Sequence, residues 1–180
     1  RAYELARQHE ATGKVLNVLF QRALNAAKAV RTQTAIGVGC TSVGTVAVEL
    51  ARKIFGNLSR ATVLLIGAGE IGELTLKRLA VRGVRQVWIM NRSFERAAEL
   101  ASRYRASALP VEYLPAQLLE ADIVITSTSA PSSILHPAEV AAAMHARHQR
   151  PLCIVDLGVP RNVEPAVGGL ENVYLFDVDD

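Results

Sequence analysis

The chain has 180 residues, half of them hydrophobic and few aromatic, with a net charge of +3. That length suits one sizeable core plus an appendage. No apolar run is long enough to span a membrane and no leader pattern is visible; the two cysteines, Cys40 and Cys153, form neither a CxxC pair nor a Cys/His cluster, which argues against a disulfide framework and a zinc site.

Residues 1–31 read as helix. Leu16, Leu19, Phe20, Ala23, Leu24, Ala27 and Val30 repeat at helical spacing, and Gly13 is positioned to divide the run. The segment is basic: residues 1–60 carry nine Lys/Arg against three Asp/Glu, whereas residues 61–180 carry eleven against fourteen. Such a balance can face a polyanion such as RNA or simply be a solvated helix face, and no aromatic residues are interleaved to favour RNA. Residues 32–60 read as a connector with Gly37 and Gly39, then a packing helix Val43–Phe55 capped by Thr41 or Ser42 and ended by Gly56. Cys40 precedes that helix, but nothing nearby reads as a base for it.

Residues 61–180 read as alternating strands and helices. Thr62–Ile66 is an apolar, β-branched run. It feeds Gly67-Ala68-Gly69-Glu70-Ile71-Gly72, then a helical stretch to Gly83, then Val87–Met90. Strand, glycine turn, helix and strand are the first half of a dinucleotide-binding unit. Gly67 permits the sharp turn, Gly69 the close approach of a pyrophosphate, and Gly72 tight helix packing. The unpartnered N–H groups that open the helix attract the anion.

The second strand ends in Asn91-Arg92-Ser93 with Arg96 one turn on, and no carboxylate stands at the strand tip. NAD sites usually place an Asp or Glu there for the ribose 2′-hydroxyl. Arg92 can cover a 2′-phosphate, and Asn91 and Ser93 can donate to it, so the expected cofactor is NADPH. Ser93 also suits the N-cap of a helix over Phe94–Tyr104, and Arg96 can equally be a solvated surface residue.

Further on, Ser107–Val111 reads as a short edge strand, Pro115–Glu120 as a helix and Asp122–Thr126 as a buried strand. Ala138–Arg147 reads as a helix with His136 as a possible cap, and Leu152–Asp156 and Val173–Phe176 as the last strands. The predicted fold is α/β, a doubly wound parallel Rossmann-type sheet in order 3-2-1-4-5-6 behind an N-terminal helical segment. Ligands bind at the carboxyl ends of such strands. Ser127 and Thr128 are therefore candidates for the ribose or nicotinamide side, and the backbone of Leu157 and Gly158 for the carboxamide. Asp156 is an acid/base or a local cap. Cys153 should be buried and inert. His136, His145 and His148 should face solvent. No residue is singled out as catalytic and no metal site is expected.

With these segments laid out, the chain resembles glutamyl-tRNA reductase. Arg31-Thr32-Gln33-Thr34-Ala35-Ile36-Gly37 is similar to that family's R-T-E-T-x-I-G connector. The Gly67–Gly72 loop and Asn91-Arg92-Ser93 match too, although NRS is shared with shikimate dehydrogenases. Asp156-Leu157-Gly158-Val159-Pro160-Arg161-Asn162-Val163-Glu164-Pro165 is similar to its D-[IL]-A-V-P-R-D-[VI]-[ED]-P, with Gly158 and Asn162 as departures.

The resemblance implies an NADPH-dependent, cytoplasmic, V-shaped homodimer. Its catalytic domain carries a cysteine that forms a thioester from glutamyl-tRNA, and hydride from NADPH releases glutamate-1-semialdehyde for tetrapyrrole synthesis. An aldehyde-accepting aminomutase is an implied partner. Residues 1–31 then correspond to the tail of the catalytic domain and the linking helix. The nucleophile and the dimerisation domain lie outside this chain, which alone should bind NADPH without turning over substrate. The competing expectations are a shikimate-dehydrogenase-like NADP-dependent reductase and a non-catalytic NADP-binding module.

Overall fold

β1 (Thr62–Ile66) is buried at all five positions, as are β4 (Ile123–Thr126) and β5 (Leu152–Asp156) at all of theirs. Strands covered on both faces are continuous apolar runs rather than alternating ones, and this is the signature of a parallel sheet between two helical layers. The computed structural model describes residues 2–34 and 43–179. Cys40, the Thr41/Ser42 cap and the Ala35–Gly37 part of the connector motif lie outside the described residues.

With β2 (Gln86–Met90), β3 (Ser107–Leu109) and β6 (Val173–Asp177), the strands form one six-stranded sheet in order β3-β2-β1-β4-β5-β6. Every pairing is parallel. This is the predicted doubly wound order. Successive residues of a strand point to opposite faces, and the core divides accordingly. Val63, Leu65, Ile89, Ile123, Ile125 and Val155 pack on one side, together with Ala47, Leu76, Leu79 and Leu100. Leu64, Ile66, Val124 and Ile154 pack on the other, with Leu118, Val140 and Met144.

The first layer is α3 (Val43–Phe55), α4 (Glu70–Arg82) and α5 (Phe94–Tyr104). The second is α6 (Leu114–Glu120) and α7 (Pro137–Ala146). The chain separates into two compact units, Arg1–Thr41 and Ser42–Asp180, so α3 belongs with the sheet.

In the first unit, Gly13 has an extended backbone and divides α1 (Ala2–Gln8) from α2 (Lys14–Gln33). The Tyr3 ring stacks on Phe20 at 4.8 Å, and the Tyr3 hydroxyl donates to Asn17 Oδ1 at 3.1 Å. These contacts fold the short helix back on the long one. No helix among the described residues is long and apolar enough to cross a membrane.

Several element ends differ by a residue or two from the predicted boundaries. The third strand stops at Leu109, because Pro110 leads into a 3-10 turn over Val111–Tyr113. Helix α7 spans Pro137–Ala146, one residue offset at each end, and Arg147 caps it. That arginine is only 6% exposed. Its guanidinium donates to the carbonyls of Leu118 at 2.7 Å and Pro151 at 3.1 Å, tying α6 and α7 beneath the sheet.

Helices α3 and α4 touch at Gly44. A Cβ on Gly44 would lie 2.4 Å from Thr75 Oγ1 and 3.0 Å from Thr75 Cα. Gly44→Ala gains about 0.5–1 kcal/mol of helix propensity but overpacks the contact at a cost of about 1–3 kcal/mol. The expected outcome is net destabilisation, read as a lower Tm in a thermal melt. An unchanged or higher Tm would mean that α3 does not pack this way.

Candidate nucleotide-binding cleft

The loop from Gly67 to Gly72 leaves β1 at the point where the chain connections diverge to opposite sides of the sheet. Gly67 has φ +116°, and a Cβ there would lie 2.5 Å from the Ser127 carbonyl oxygen, so both conformation and space require glycine. A Cβ on Gly72 would lie 2.5 Å from the Gly67 carbonyl oxygen. The tight approach is thus between the helix and its own loop, rather than between helix and strand. Over Gly69 nothing lies within 4 Å of a Cβ position. That open space faces the first turn of α4, where Glu70, Ile71 and Gly72 begin the helix with N–H groups lacking helical acceptors. The turn expected at Gly67 is present, and the contact at Gly72 is with the loop instead of the strand.

Asn91 joins the loop to the end of β2. Its Oδ1 accepts from Ala68 N–H at 3.3 Å, and its Nδ2 donates to the Ser93 carbonyl at 3.0 Å. Ser93 caps α5 by accepting from Arg96 N–H at 3.4 Å. Its own hydroxyl proton goes to Glu95 at 2.8 Å, and this hydrogen bond holds the Glu95 carboxyl below its ordinary range. Arg92 and Arg96 are exposed and have no carboxylate partner among the described residues. The strand tip therefore carries two available cations and one acidic side chain, Glu95, that sequence reading overlooked. Its spacing from Ser93 does not form a capping box, so no familiar pattern flags it.

Two loops face the glycine turn. The first leaves β4. Ser127 N–H donates to the Ile66 carbonyl at 2.8 Å, which sets Ser127 beside the start of the glycine loop. Its Oγ is buried and has no hydrogen-bond partner. A buried orphan hydroxyl is costly unless something fills its valence, and it lies where a ligand on the loop can do so. The second loop leaves β5, and Asp156 organises it. Asp156 is 1% exposed. Its carboxylate accepts from Thr126 Oγ1 at 2.7 Å and from the N–H groups of Gly158, Asn162 and Val163 at 2.9, 2.7 and 2.9 Å. Of the two roles open to it, local anchoring is the one its surroundings serve.

Leu157 packs in the first core layer. Its N–H donates to the Thr126 carbonyl at 2.8 Å. With the Gly158 N–H taken by Asp156, the carbonyl groups of these two residues are what the loop can offer a ligand. Thr128 turns away to Asn162, its N–H and Oγ1 both donating to Asn162 Oδ1 at 2.9 and 3.0 Å.

The remaining candidates separate clearly. Burial pushes the Cys153 thiol up to about 12, so it is inert, as expected. His145 and His148 are exposed. His136 occupies the N-cap position of α7, as its place in the sequence suggests, but its half-buried side chain makes no capping bond and meets Glu164 through Nδ1 at 2.6 Å instead. Among the described residues no group of His, Cys, Asp or Glu is placed to hold a metal. An apolar groove of about 650 Å³ between α6 and α7 is lined by Val111, Leu114, Leu119 and Ala142, with Glu112 and Glu139 as its acids. None of the cleft residues described above lines it.

Residues 49–180 match the family described as shikimate / quinate 5-dehydrogenase. The chain belongs to that family. The resemblance to glutamyl-tRNA reductases also holds across the chain. The protein of that name from Desulfotalea psychrophila is 46% identical over 179 residues, covering 99% of this chain and 42% of the relative. The structure of glutamyl-tRNA reductase from Methanopyrus kandleri superposes with a TM-score of 0.74 at 39% identity, covering 99% of this chain and 45% of that one. The nucleotide-binding domain of the Thermoplasma volcanium enzyme shares the fold, with a TM-score of 0.55 at 18% identity over 72% of this chain and 84% of that one. The chain thus spans about two fifths of the length of the curated relatives it matches.

Asp156→Asn tests the anchoring role. The amide has one acceptor oxygen in place of two and turns an NH2 group toward backbone donors. Each buried N–H left unsatisfied costs about 1–3 kcal/mol, so a clear drop in denaturation midpoint is expected in the absence of any ligand. A substitution that leaves stability intact but removes activity from the full-length protein would instead make Asp156 an acid/base.

Proposed function

We propose that this chain is the NADPH-binding portion of a glutamyl-tRNA reductase. The observation that carries the proposal is the open glycine loop lying beside a cationic strand tip. Gly69 and the first turn of α4 receive the pyrophosphate. Arg92, with Arg96 and the second N–H of Asn91, holds the 2′-phosphate. Ser127 lies on the ribose and nicotinamide side, with the Leu157 and Gly158 carbonyls across from it, and Thr128, committed to Asn162, supports the loop rather than the ligand. Glutamyl-tRNA reductases similar over nearly the whole chain support this reading.

NADPH supplies the hydride when bound. The residues of this chain would bind it and fix its direction, the glycine loop at the pyrophosphate and the loops after β4 and β5 at the nicotinamide half. Buried Cys153 cannot serve as the nucleophile, because its thiol stays protonated at neutral pH. The thioester with the glutamyl group forms on a cysteine elsewhere in the whole protein, which reduces glutamyl-tRNA to glutamate-1-semialdehyde for tetrapyrrole synthesis. A cytoplasmic homodimer and an aldehyde-accepting aminomutase complete the reading. A second reading is favoured by the family match itself: a shikimate-dehydrogenase-like reductase on the same coenzyme domain. Assaying the full-length protein with glutamyl-tRNA and with shikimate separates the two.

Coenzyme titration tests the cleft directly. The parent chain should bind NADPH far more tightly than NADH. A charge-assisted contact contributes about 1.5–3 kcal/mol, so Arg92→Ala should weaken NADPH about ten- to a hundredfold and leave NADH nearly unchanged. Glu95→Gln should move the other way, strengthening NADPH alone, because it removes a negative charge from beside the phosphate. Equal affinity of the parent for both coenzymes would refute the assignment of the 2′-phosphate.

A further inference from the structure

Asn162 is 0% exposed, and every polar group it has is committed. Its N–H donates to Asp156 Oδ2 at 2.7 Å. Its carbonyl accepts from the N–H groups of Ile134 and Leu135 at 2.7 and 3.1 Å. Its Oδ1 accepts both Thr128 donors, and its Nδ2 donates to the Pro160 carbonyl at 3.3 Å. One side chain thus joins the loop after β4 to the loop after β5. Backbone pairing between Leu135 and Val163 runs alongside.

The fit leaves no spare room. A Cβ on Gly158 would lie 2.4 Å from both Cγ and Oδ1 of Asn162 and 2.7 Å from its Nδ2. Separations under 3 Å do not occur between such atoms, so any side chain at position 158 must displace Asn162. These two positions are the ones at which the decapeptide departs from the glutamyl-tRNA reductase pattern. They are in contact, and the glycine makes space for the amide.

We propose that Asn162 is a positioning residue that sets the distance between the β4 and β5 loops, and that Gly158 is the partner position that permits it. The proposal rests on the coenzyme reading above. The two loops are the pair assigned to the nicotinamide half, whereas the adenosine half lies across the glycine turn toward β2. Opening the clasp therefore loosens one end of the bound coenzyme and spares the other. Asn162 touches no reacting atom; it acts through Thr128 and through the loop that carries Leu157 and Gly158.

The test compares two ligands by calorimetry on the full chain. NADPH spans both halves of the cleft, and adenosine 2′,5′-bisphosphate fills only the adenosine half. Asn162→Ala and Gly158→Ala should each weaken NADPH about tenfold, equivalent to 1.4 kcal/mol, and change the bisphosphate less than about twofold. The double substitution should be no weaker than Asn162→Ala alone, because the added methyl then has nothing to strike. Amide hydrogen exchange without ligand gives a second readout: Thr128 N–H should lose protection in both single variants, while the amides of β1 keep theirs. Equal losses for the two ligands, additive losses in the double substitution, or unchanged protection at Thr128 would overturn the clasp while leaving the coenzyme assignment standing. A parent chain that binds neither ligand would remove the coenzyme assignment and the clasp with it.

Discussion

A carboxylate withdrawn from water must be surrounded by donors, and that requirement shapes the upper edge of this sheet. Asp156 ends β5 with 1% of its surface exposed. Four donors converge on it, one from the neighbouring strand and three from the seven residues that follow. Hydrogen bonds to charged groups contribute about 1.5–3 kcal/mol each, and leaving a buried charge unpaired costs far more. The chain after β5 therefore cannot wander. It wraps back over its own strand end, and in doing so presents Asn162 to the loop after β4. A local electrostatic demand becomes a fixed separation between two loops that are 34 residues apart in the chain.

The sheet supplies the frame on which this acts. Parallel register aligns Ile66 with Met90 and with Thr126, and Thr126 with Asp156. Four strand ends thus stop at one level, and the loops above them share one crevice. The β1 and β4 ends are neighbours whose connections leave in opposite directions, which is why the crevice opens between them. Glycine at 67 and 72 lets the loop after β1 sit flush against Ser127. The cleft is wide over Gly69 for the same reason that it is closed beneath Gly67: the backbone is pressed down onto the β4 loop.

How much of this could be read from residues follows the range of the interactions. The strands and their order were legible, because burial on both faces writes an unbroken apolar run and alternation with helices dictates crossovers. The tight turn after β1 was legible because glycine spacing encodes backbone conformation directly. Ser93 as a cap was legible from its place before Phe94. Asn162 was not, since its meaning lies in contacts with residues 128, 134 and 160 that no local pattern reports. His136 sits where a cap belongs, yet Glu164, 28 residues on, claims it. Glu95 escaped notice because attention to a strand tip stops at the tip, whereas the helix that follows returns its first turn to the same place.

Glu95 also shows why the coenzyme preference cannot be read as a count of arginines. Its carboxylate holds the only hydroxyl proton that Ser93 can give, so a phosphate arriving at this corner meets two cations and one competitor for the serine. Exposed charges of this kind interact weakly through water, and salt screens them further. The balance is therefore decided by geometry rather than by sign alone. A guanidinium can meet a phosphate with two parallel N–H groups, and a carboxylate on a flexible, fully exposed stem can turn away toward solvent at small cost. On the proposed coenzyme reading, that asymmetry is what would favour the phosphate. On the same reading, the Ser93–Glu95 contact is what a phosphate would have to compete with for the serine hydroxyl.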